Sequence, residues 1–262
     1  MLTVRSLHVY PVKSLRGVSL PRAVVGDRGL EHDRRFMVVD EANRFLTQRT
    51  LPRMSLVAVA LSGDALRLAA PGMDDLVVPL RPETGELRLV EVWRDRCEAR
   101  ALGDAPARWL SRFLGVPCGL VYMPDATIRA TDPARGPGRV GFADAYPFLL
   151  ASSTSLRELA RRGADVPMER FRPNIVVDGA PPFAEDGWTR LRIGPVAFRV
   201  TKSCVRCSVT TVDPAVGAVA GPEPLRTLST FRRDGDGVCF GVNLVHDGIG
   251  AIAVGDAVEL DA

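Results

Sequence analysis

Glycine and proline interrupt this chain so often that long regular elements are confined to a few places. The 262 residues include 24 glycines and 20 prolines, which fall between short apolar runs. Proline breaks the hydrogen bonding of a helix interior and glycine destabilises it, so both residues mark turns instead. We therefore expect a mainly β protein with a few α-helices, rather than a helical bundle.

The apolar runs of the first hundred residues have the spacing of β-hairpins. Runs at 35–40 and 45–47 flank a polar turn, and runs at 56–61 and 65–69 flank Ser62-Gly63-Asp64. Pairs of short runs around turn residues predict hairpins, and several in succession suggest a barrel or a sandwich.

Two segments show the apolar stripe of a helix. One covers 104–114 and is followed by Gly115, a residue that often ends helices. The other covers 154–162, where Ser155 and Glu158 have the spacing of a capping box. The second half of the chain is therefore predicted to be a mixture of strands and helices.

The composition excludes several classes of protein and partner. Hydrophobic residues make up 46% and charged residues 25%, as in a soluble globular protein and unlike a disordered or collagen-like chain. The net charge of +3 is too small to indicate a nucleic-acid partner. No run of 18 apolar residues predicts a membrane helix, so no membrane partner is expected. No secretory signal is recognisable and the five cysteines are an odd number, so we expect reduced thiols and a cytoplasmic location.

Lysine is almost absent from this chain. Of the 34 basic residues only Lys13 and Lys202 are lysines, and each is followed by a serine. Lysine and arginine are not interchangeable at a tight binding site, so the two retained lysines indicate such a site. For Lys202 we nevertheless expect a solvated ammonium group.

The segment 202–214 holds the densest cluster of reactive side chains. Cys204 and Cys207 have the C-x-x-C spacing, which suits half a zinc site, a dithiol redox pair, or one thiolate ligand to a metal cofactor. No second half-site exists for zinc, and 208–212 reads as a strand where a redox pair usually precedes a helix. Two buried cysteines that act as small hydrophobes remain a further alternative.

The sequence from Arg206 to Pro214, followed by Gly217, resembles the signature of the MOSC family, named for the C-terminal domain of molybdenum-cofactor sulfurase. Four further blocks resemble that family in the same order, at 9–17, 33–38, 171–176 and 254–258. The resemblance covers nearly the whole chain and is strongest to the mitochondrial amidoxime-reducing component and its bacterial relatives. It implies an N-terminal β-barrel domain over 1–118 and a mixed β-barrel MOSC domain over 119–262, with a pattern change near 116–122.

The resemblance also implies a molybdenum cofactor, Mo-molybdopterin, with Cys207 as the metal ligand and catalytic residue and Cys204 as a neighbour only. The family's cofactor-contacting positions fall on the following residues: Lys13, Ser14, Arg35, Ser152, Ser153, Arg172, Asn174, Val205, Arg206 and Asn243. Val205 can offer only backbone groups, and Asn243 stands where some relatives carry tyrosine.

These residue types suit the cofactor that the resemblance implies. A buried phosphate must be paired and hydrogen-bonded, and lysine and arginine supply the cations. Serines before a helix add hydroxyls and N-terminal amides, and Asn174 can donate to and accept from a pterin edge.

For function, the resemblance implies reduction of small N-hydroxylated or N-oxide substrates. The sequence shows no C-x-x-x-x-C-x-x-C iron–sulfur spacing, haem-attachment motif or dinucleotide fingerprint, so we expect electrons from a separate flavin or iron–sulfur protein. We expect no pyridoxal phosphate requirement. The alternative is a non-catalytic carrier in which Cys207 holds sulfur or hands over the cofactor.

Overall fold

The computed structural model describes residues 1–235 and 237–261, and strands dominate it. Within that part the α-helices are α1 (Asp104–Leu114), α2 (Ser153–Arg161) and α3 (Leu225–Leu228). The strands before α2 are β1 (Thr3–Val9), β2 (Val18–Leu20), β3 (Arg22–Gly26), β4 (Gly29–Leu30), β5 (Phe36–Val39), β6 (Ala58–Ser62), β7 (Ala65–Ala69), β8 (Leu76–Pro79), β9 (Leu87–Val92), β10 (Asp95–Ala101), β11 (Gly119–Tyr122) and β12 (Phe148–Ser152).

The strands after α2 complete the same pattern of short segments. They are β13 (Ile175–Asp178), β14 (Arg190–Ile193), β15 (Val196–Val205), β16 (Val212–Asp213), β17 (Ala218–Val219), β18 (Arg233–Asp234), β19 (Gly237–His246), β20 (Gly250–Ala253) and β21 (Val258–Leu260). The expected fold class, mainly β with a few helices, is confirmed.

A large mixed sheet forms the centre of the fold. Its strand order is β2-β1-β13-β12-β19-β15-β14-β21, with β18 paired to β19. β12 and β13 are parallel because α2 lies between them as a crossover, while the other neighbours are antiparallel. Side chains on one face of this sheet pack with β3 and β20 into a fully apolar core that includes Leu7, Phe148, Phe198 and Leu244.

The first thirty residues lie with the second half of the chain. β1 pairs with β13, and β3 pairs with β20. The division predicted at residues 118 and 119 stays a prediction about the sequence, since in space the chain's start is part of the large sheet.

Residues 36–122 form a smaller β unit around α1. The sheet β5-β11-β10-β9 and the sheet β6-β7-β8 contribute to one core that α1 closes with its apolar face, and the first sheet also forms a second core without residues of α1. α1 ends at Gly115, whose φ of 76° is the left-handed conformation that glycine adopts without strain. The helix therefore has the bounds that the sequence predicts.

Two local predictions are wrong. The helix predicted near 154–162 is present as α2, but Ser155 and Glu158 do not form its capping box. The N-cap is Ser152, whose side chain accepts from the Thr154 amide, and Ser155 is buried and donates to Glu185. The segment 208–212 is not a strand throughout, because Ser208–Thr211 forms a short 3-10 helix. Among the described residues, no helix has the length and apolar character needed to cross a bilayer.

Candidate functional site

A cleft opens where the end of β15 meets the loops that follow β1 and precede β12. Its lining includes eight of the predicted site residues, namely Lys13, Ser14, Arg172, Asn174, Val205, Arg206, Cys207 and Asn243. Their positions span the sequence from residue 13 to residue 243, so the fold brings together segments that the sequence keeps far apart.

Cys207 lies just after β15, where the chain leaves the large sheet. The pairing of β15 with β19 shifts register between Val200 and Lys202 and again between Ser203 and Val205, and such bulges redirect side chains. The carbonyl of Cys207 accepts from the Thr210 amide at 3.1 Å and the Thr210 hydroxyl at 2.9 Å. The 3-10 turn thus fixes the backbone that presents the thiol.

Arg49 contacts the Cys207 sulfur directly. Its Nη2 lies 3.1 Å from Sγ of Cys207, and its guanidinium stacks on the Trp93 ring at 4.3 Å. Arg49 therefore places a cation next to the Cys207 sulfur. Arg49 was not identified from the sequence, where no motif surrounds it.

Cys204 has a different partner. Arg206 donates from Nη1 to Sγ of Cys204 at 2.9 Å and from Nη2 to the carbonyl of Phe171 at 2.6 Å. Nε of Arg206 is buried and has no hydrogen-bond partner among the described residues. Arg206 therefore links the end of β15 to Phe171, and it retains one unpaired donor at the cleft that it lines.

Arg34 and Arg172 stack on the same aromatic ring. Both guanidinium groups lie over Tyr10, at 4.3 Å and 4.2 Å from the ring centroid. Burial raises the pKa of Tyr10 to about 12, and its hydroxyl donates to the carbonyl of Pro173 at 3.1 Å. Burial lowers the pKa of Arg172 to about 10, so Arg172 remains a cation at neutral pH. Tyr10 thus stays neutral and supports two fixed cations.

Three residues of the cleft have left-handed backbone conformations that side chains disfavour. Their φ angles are 67° at Ser14, 46° at Arg34 and 57° at Arg172. Such conformations persist only where the surrounding structure imposes them, and they concentrate at functional sites. Their grouping in one cleft marks it as the functional region of the fold.

Buried Lys13 forms an ion pair, which the sequence did not predict, with Asp144, whose side chain is 56% exposed. Its ammonium group donates to the carbonyl of Phe142 at 2.8 Å and to the carboxylate of Asp144, which also accepts from Trp93 Nε1 at 3.1 Å. Burial lowers the pKa of Lys13. Burial alone would raise the pKa of Asp144, but the Lys13 charge and its hydrogen bond hold that pKa below the usual value. Arg129 fixes this segment by donating to the carbonyls of Gly141 and Ala143.

Arg35 does not line the cleft, so its expected contact with the cofactor stays a prediction. It points into a second pocket, where it donates to Asp125 at 2.6 Å and to the Tyr122 hydroxyl at 3.0 Å. The left-handed backbone of the preceding residue turns Arg34 into the cleft and Arg35 away from it. Arg34 is therefore the cation at the position where the sequence suggested Arg35.

Ser152 and Ser153 also lie outside the cleft lining. Ser152 is fully buried and caps α2, while Ser153 donates to Asp178 at 2.6 Å. Their hydroxyl groups serve the helix start and the β13 end. The segment just before β12, with Asp144 and Tyr146, lines the cleft instead.

The side-chain amide of Asn174 is hydrogen-bonded to three surrounding segments of the chain. Its Oδ1 accepts from Arg34 at 3.0 Å and from the Leu149 amide at 3.2 Å, and its Nδ2 donates to the carbonyl of His8 at 3.2 Å. Because these bonds occupy both ends of the amide, Asn174 orients Arg34 and does not present a free amide edge.

Positively charged side chains outnumber negatively charged ones in the cleft lining. Among the described residues, six cations line it and one carboxylate, Asp144, balances them; the cations are Lys13, Arg34, Arg49, Arg172, Lys202 and Arg206. No cluster of three or more His, Cys, Asp or Glu side chains occurs in the described part of the chain. The arrangement therefore offers one thiol ligand and several cations, which suits an anionic cofactor that brings further metal ligands of its own.

Comparisons with known proteins identify relatives along the whole chain. The family profile "MOSC N-terminal beta barrel domain" matches residues 1–117, and the profile "MOSC domain" matches residues 137–259. Mitochondrial amidoxime-reducing component 1 of Homo sapiens is 35% identical over 98% of this chain and 82% of its own length. Mitochondrial amidoxime reducing component 2 of Rattus norvegicus has the same identity and coverage. Molybdenum cofactor sulfurase of Danio rerio is 33% identical over 93% of this chain and 32% of its own length.

Proposed function

The chain belongs to the MOSC family and shares both of its domains with the amidoxime-reducing components, and we propose that it is a molybdenum-cofactor-dependent reductase of N-hydroxylated or N-oxide substrates. The observation that carries the proposal is the position of the Cys207 thiol in a cleft lined by six cations and one carboxylate. A neutral or acidic cleft around that thiol would not suit an anionic cofactor.

The residues present fit the cofactor. Cys207 would ligate molybdenum, with Arg49 donating to its sulfur. Arg34 and Arg172, fixed on Tyr10, would hold the phosphate, and Arg206 adds an unpaired buried donor. When bound, the cofactor supplies two-electron chemistry that removes an oxygen atom from a substrate.

The overall reaction balances without any group beyond an electron donor. An amidoxime takes up two electrons and two protons, its N–O bond breaks, and an amidine and water are released. The protein's task is to fix the cofactor and to admit the substrate to the cleft, whose lining includes Asn243 and the exposed Lys202. The electrons would come from a separate flavin or iron–sulfur protein.

Turnover with a chemical reductant tests the proposal without the natural donor. The protein, produced in a host that makes the cofactor, should contain molybdenum near one per chain by elemental analysis. Reduced viologen should then be oxidised only when an amidoxime such as benzamidoxime is present. Loaded protein that leaves amidoximes and N-oxides unreduced would contradict the proposal.

A carrier of cofactor or sulfur is the second candidate, and the relative named molybdenum cofactor sulfurase favours it. In that case loaded protein would show no turnover, and sulfane sulfur would be found on Cys207. The same preparation therefore decides between the two candidates.

The predicted cytoplasmic location stays a prediction. The two amidoxime-reducing relatives carry the word mitochondrial in their names. Fractionation of cells that produce the full protein is the measurement that locates it.

A further inference from the structure

The two lysines of the chain line the same cleft. Lys13 is 5% exposed and is bound to Asp144, whereas Lys202 is exposed. The other 32 basic residues are arginines. Lys202 lies on β15 opposite Asn243, which also lines the cleft, and five residues before Cys207. The expectation that Lys202 is merely solvated leaves this position in the cleft unexplained.

Lys202 contacts an aromatic residue of the cleft. Its Nζ lies 5.6 Å from the centroid of the Tyr146 ring, which is a cleft residue too. The nearby loop contributes Asp132 and Arg135, which pair with each other at 3.9 Å. Within residues 1–235 and 237–261, the ion pairs of the cleft involve Lys13, Arg34 and Arg49, and none involves Lys202.

The other cations of the cleft already have protein partners. Arg34 is bound to Asp33 and Asn174, and Arg172 donates to the carbonyl of Leu15 at 2.8 Å. Arg206 is bound to Phe171, and Arg49 to Cys207. These contacts hold their guanidinium groups in place. Of the six described cations that line the cleft, Lys202 is the one that is exposed, and it has no ion-pair partner among the described residues.

We propose that Lys202 makes this site selective for N-hydroxylated substrates that carry a carboxylate, by pairing with that carboxylate while the N–O group faces Cys207. The inference rests on the proposed reductase function and specifies its substrate class. A compact ammonium on a flexible stem suits such a role, since it can follow carboxylates at different distances. The Tyr146 ring beneath it offers a surface for the aromatic or aliphatic body of the substrate.

Kinetics with matched substrates test the selectivity. Benzamidoxime, 4-carboxybenzamidoxime and a 4-trimethylammonio derivative differ mainly in charge. We expect the loaded wild-type protein to prefer the carboxylate over the neutral compound about fivefold in kcat/KM, an effect of the size of one ion pair near a surface. Lys202→Gln should abolish the preference through KM with little change in kcat, and Lys202→Arg should retain most of it.

A charge control separates local pairing from the field of the whole protein. Arg108→Gln removes one positive charge from α1, where the side chain is exposed and outside the cleft, and should leave the preference unchanged. Equal loss of preference in Arg108→Gln and Lys202→Gln would overturn the proposal. So would an unchanged preference in Lys202→Gln.

A binding measurement separates this inference from the proposed function. Because the chain has two lysines, protein labelled with ¹³C at lysine Cε gives two signals, and the one missing in Lys202→Gln belongs to Lys202. We expect 4-amidinobenzoate to shift that signal and benzamidine to leave it in place. If no probe is reduced but the shift occurs, the reductase function fails and the carboxylate site stands. If reduction occurs without the shift and without a charge preference, the Lys202 inference fails alone.

Discussion

The guanidinium of Arg49 lies 3.1 Å from the sulfur of Cys207, although 158 positions separate the two residues in the sequence. The same guanidinium stacks on Trp93 and lies 3.6 Å from Asp144. The N-terminal half of the chain therefore supplies a direct partner to the thiol that the C-terminal half presents. The candidate metal ligand depends on both halves.

Replacement of Arg49 should weaken retention of molybdenum. Arg49→Gln removes a charge-assisted hydrogen bond to the Cys207 sulfur, an interaction of about 1.5–3 kcal/mol, so we expect retention to fall by roughly ten- to hundredfold. Elemental analysis after repeated gel filtration measures it. Arg53→Gln is the matched control, because Arg53 stacks on Phe113 outside the cleft. If both variants lost molybdenum to a similar extent, the contact of Arg49 with Cys207 would not be the cause.

The two cysteines of the C-x-x-C pair should behave differently. Cys207→Ala should lose molybdenum, whereas Cys204→Ala should keep it, since Cys204 is bound to Arg206 and Cys207 to Arg49. Both side chains are half-buried, so neither change should lower the free energy of unfolding by more than about 1 kcal/mol. Metal content and urea unfolding measure the two effects. Loss of metal in Cys204→Ala alone would reverse the assignment.

The sequence predicted the elements whose signals are local. The helix over 104–114 has an apolar stripe and a terminal glycine, and both act within the segment itself. The same holds for Cys207, Arg206 and Lys13. Each lies in a sequence block that resembles the family, and the structure places all three in one cleft.

Residues brought in by long-range packing could not be predicted in this way. Arg49 and Asp144 stand in no motif, and their roles depend on loops that meet only in the folded chain. The choice between Arg34 and Arg35 depends on one left-handed φ angle, which sequence spacing does not reveal. The cofactor contacts expected of Ser152 and Ser153 stay a prediction. A helix start suits an anion, but the sequence does not reveal that Ser152 caps α2 and that Ser153 donates to Asp178.

The Lys13–Asp144 pair should make the free energy of unfolding depend on pH in the acid range. The folded state holds the pKa of Asp144 below its usual value, while an unfolded aspartate titrates at about 3.9. Stability from this group is therefore present above about pH 4 and is lost as pH falls, because unfolding then takes up a proton. The difference in unfolding free energy between wild type and Asp144→Asn should narrow from pH 6 to pH 3. Urea unfolding followed by circular dichroism measures it.

An exposed aspartate provides the control for that experiment. Asp104 is exposed at the start of α1, and its replacement by asparagine should give a difference that changes little over the same pH range. A parallel pH dependence in Asp104→Asn and Asp144→Asn would mean that the Lys13–Asp144 pair is not the cause.

Tyr10 should act as the support of the two arginines, and Gly17 makes room for it. A Cβ on Gly17 would lie 2.5 Å from a Tyr10 ring carbon, so Gly17→Ala should displace the ring, cost about 1–3 kcal/mol and lower molybdenum retention. Tyr10→Phe keeps the ring, loses one buried hydrogen bond and should cost about 1 kcal/mol with retention intact. Thermal unfolding and metal analysis of both variants measure these effects. Since only the ring contacts Arg34 and Arg172, metal loss in Tyr10→Phe would show that the hydroxyl, not stacking, organises the cleft.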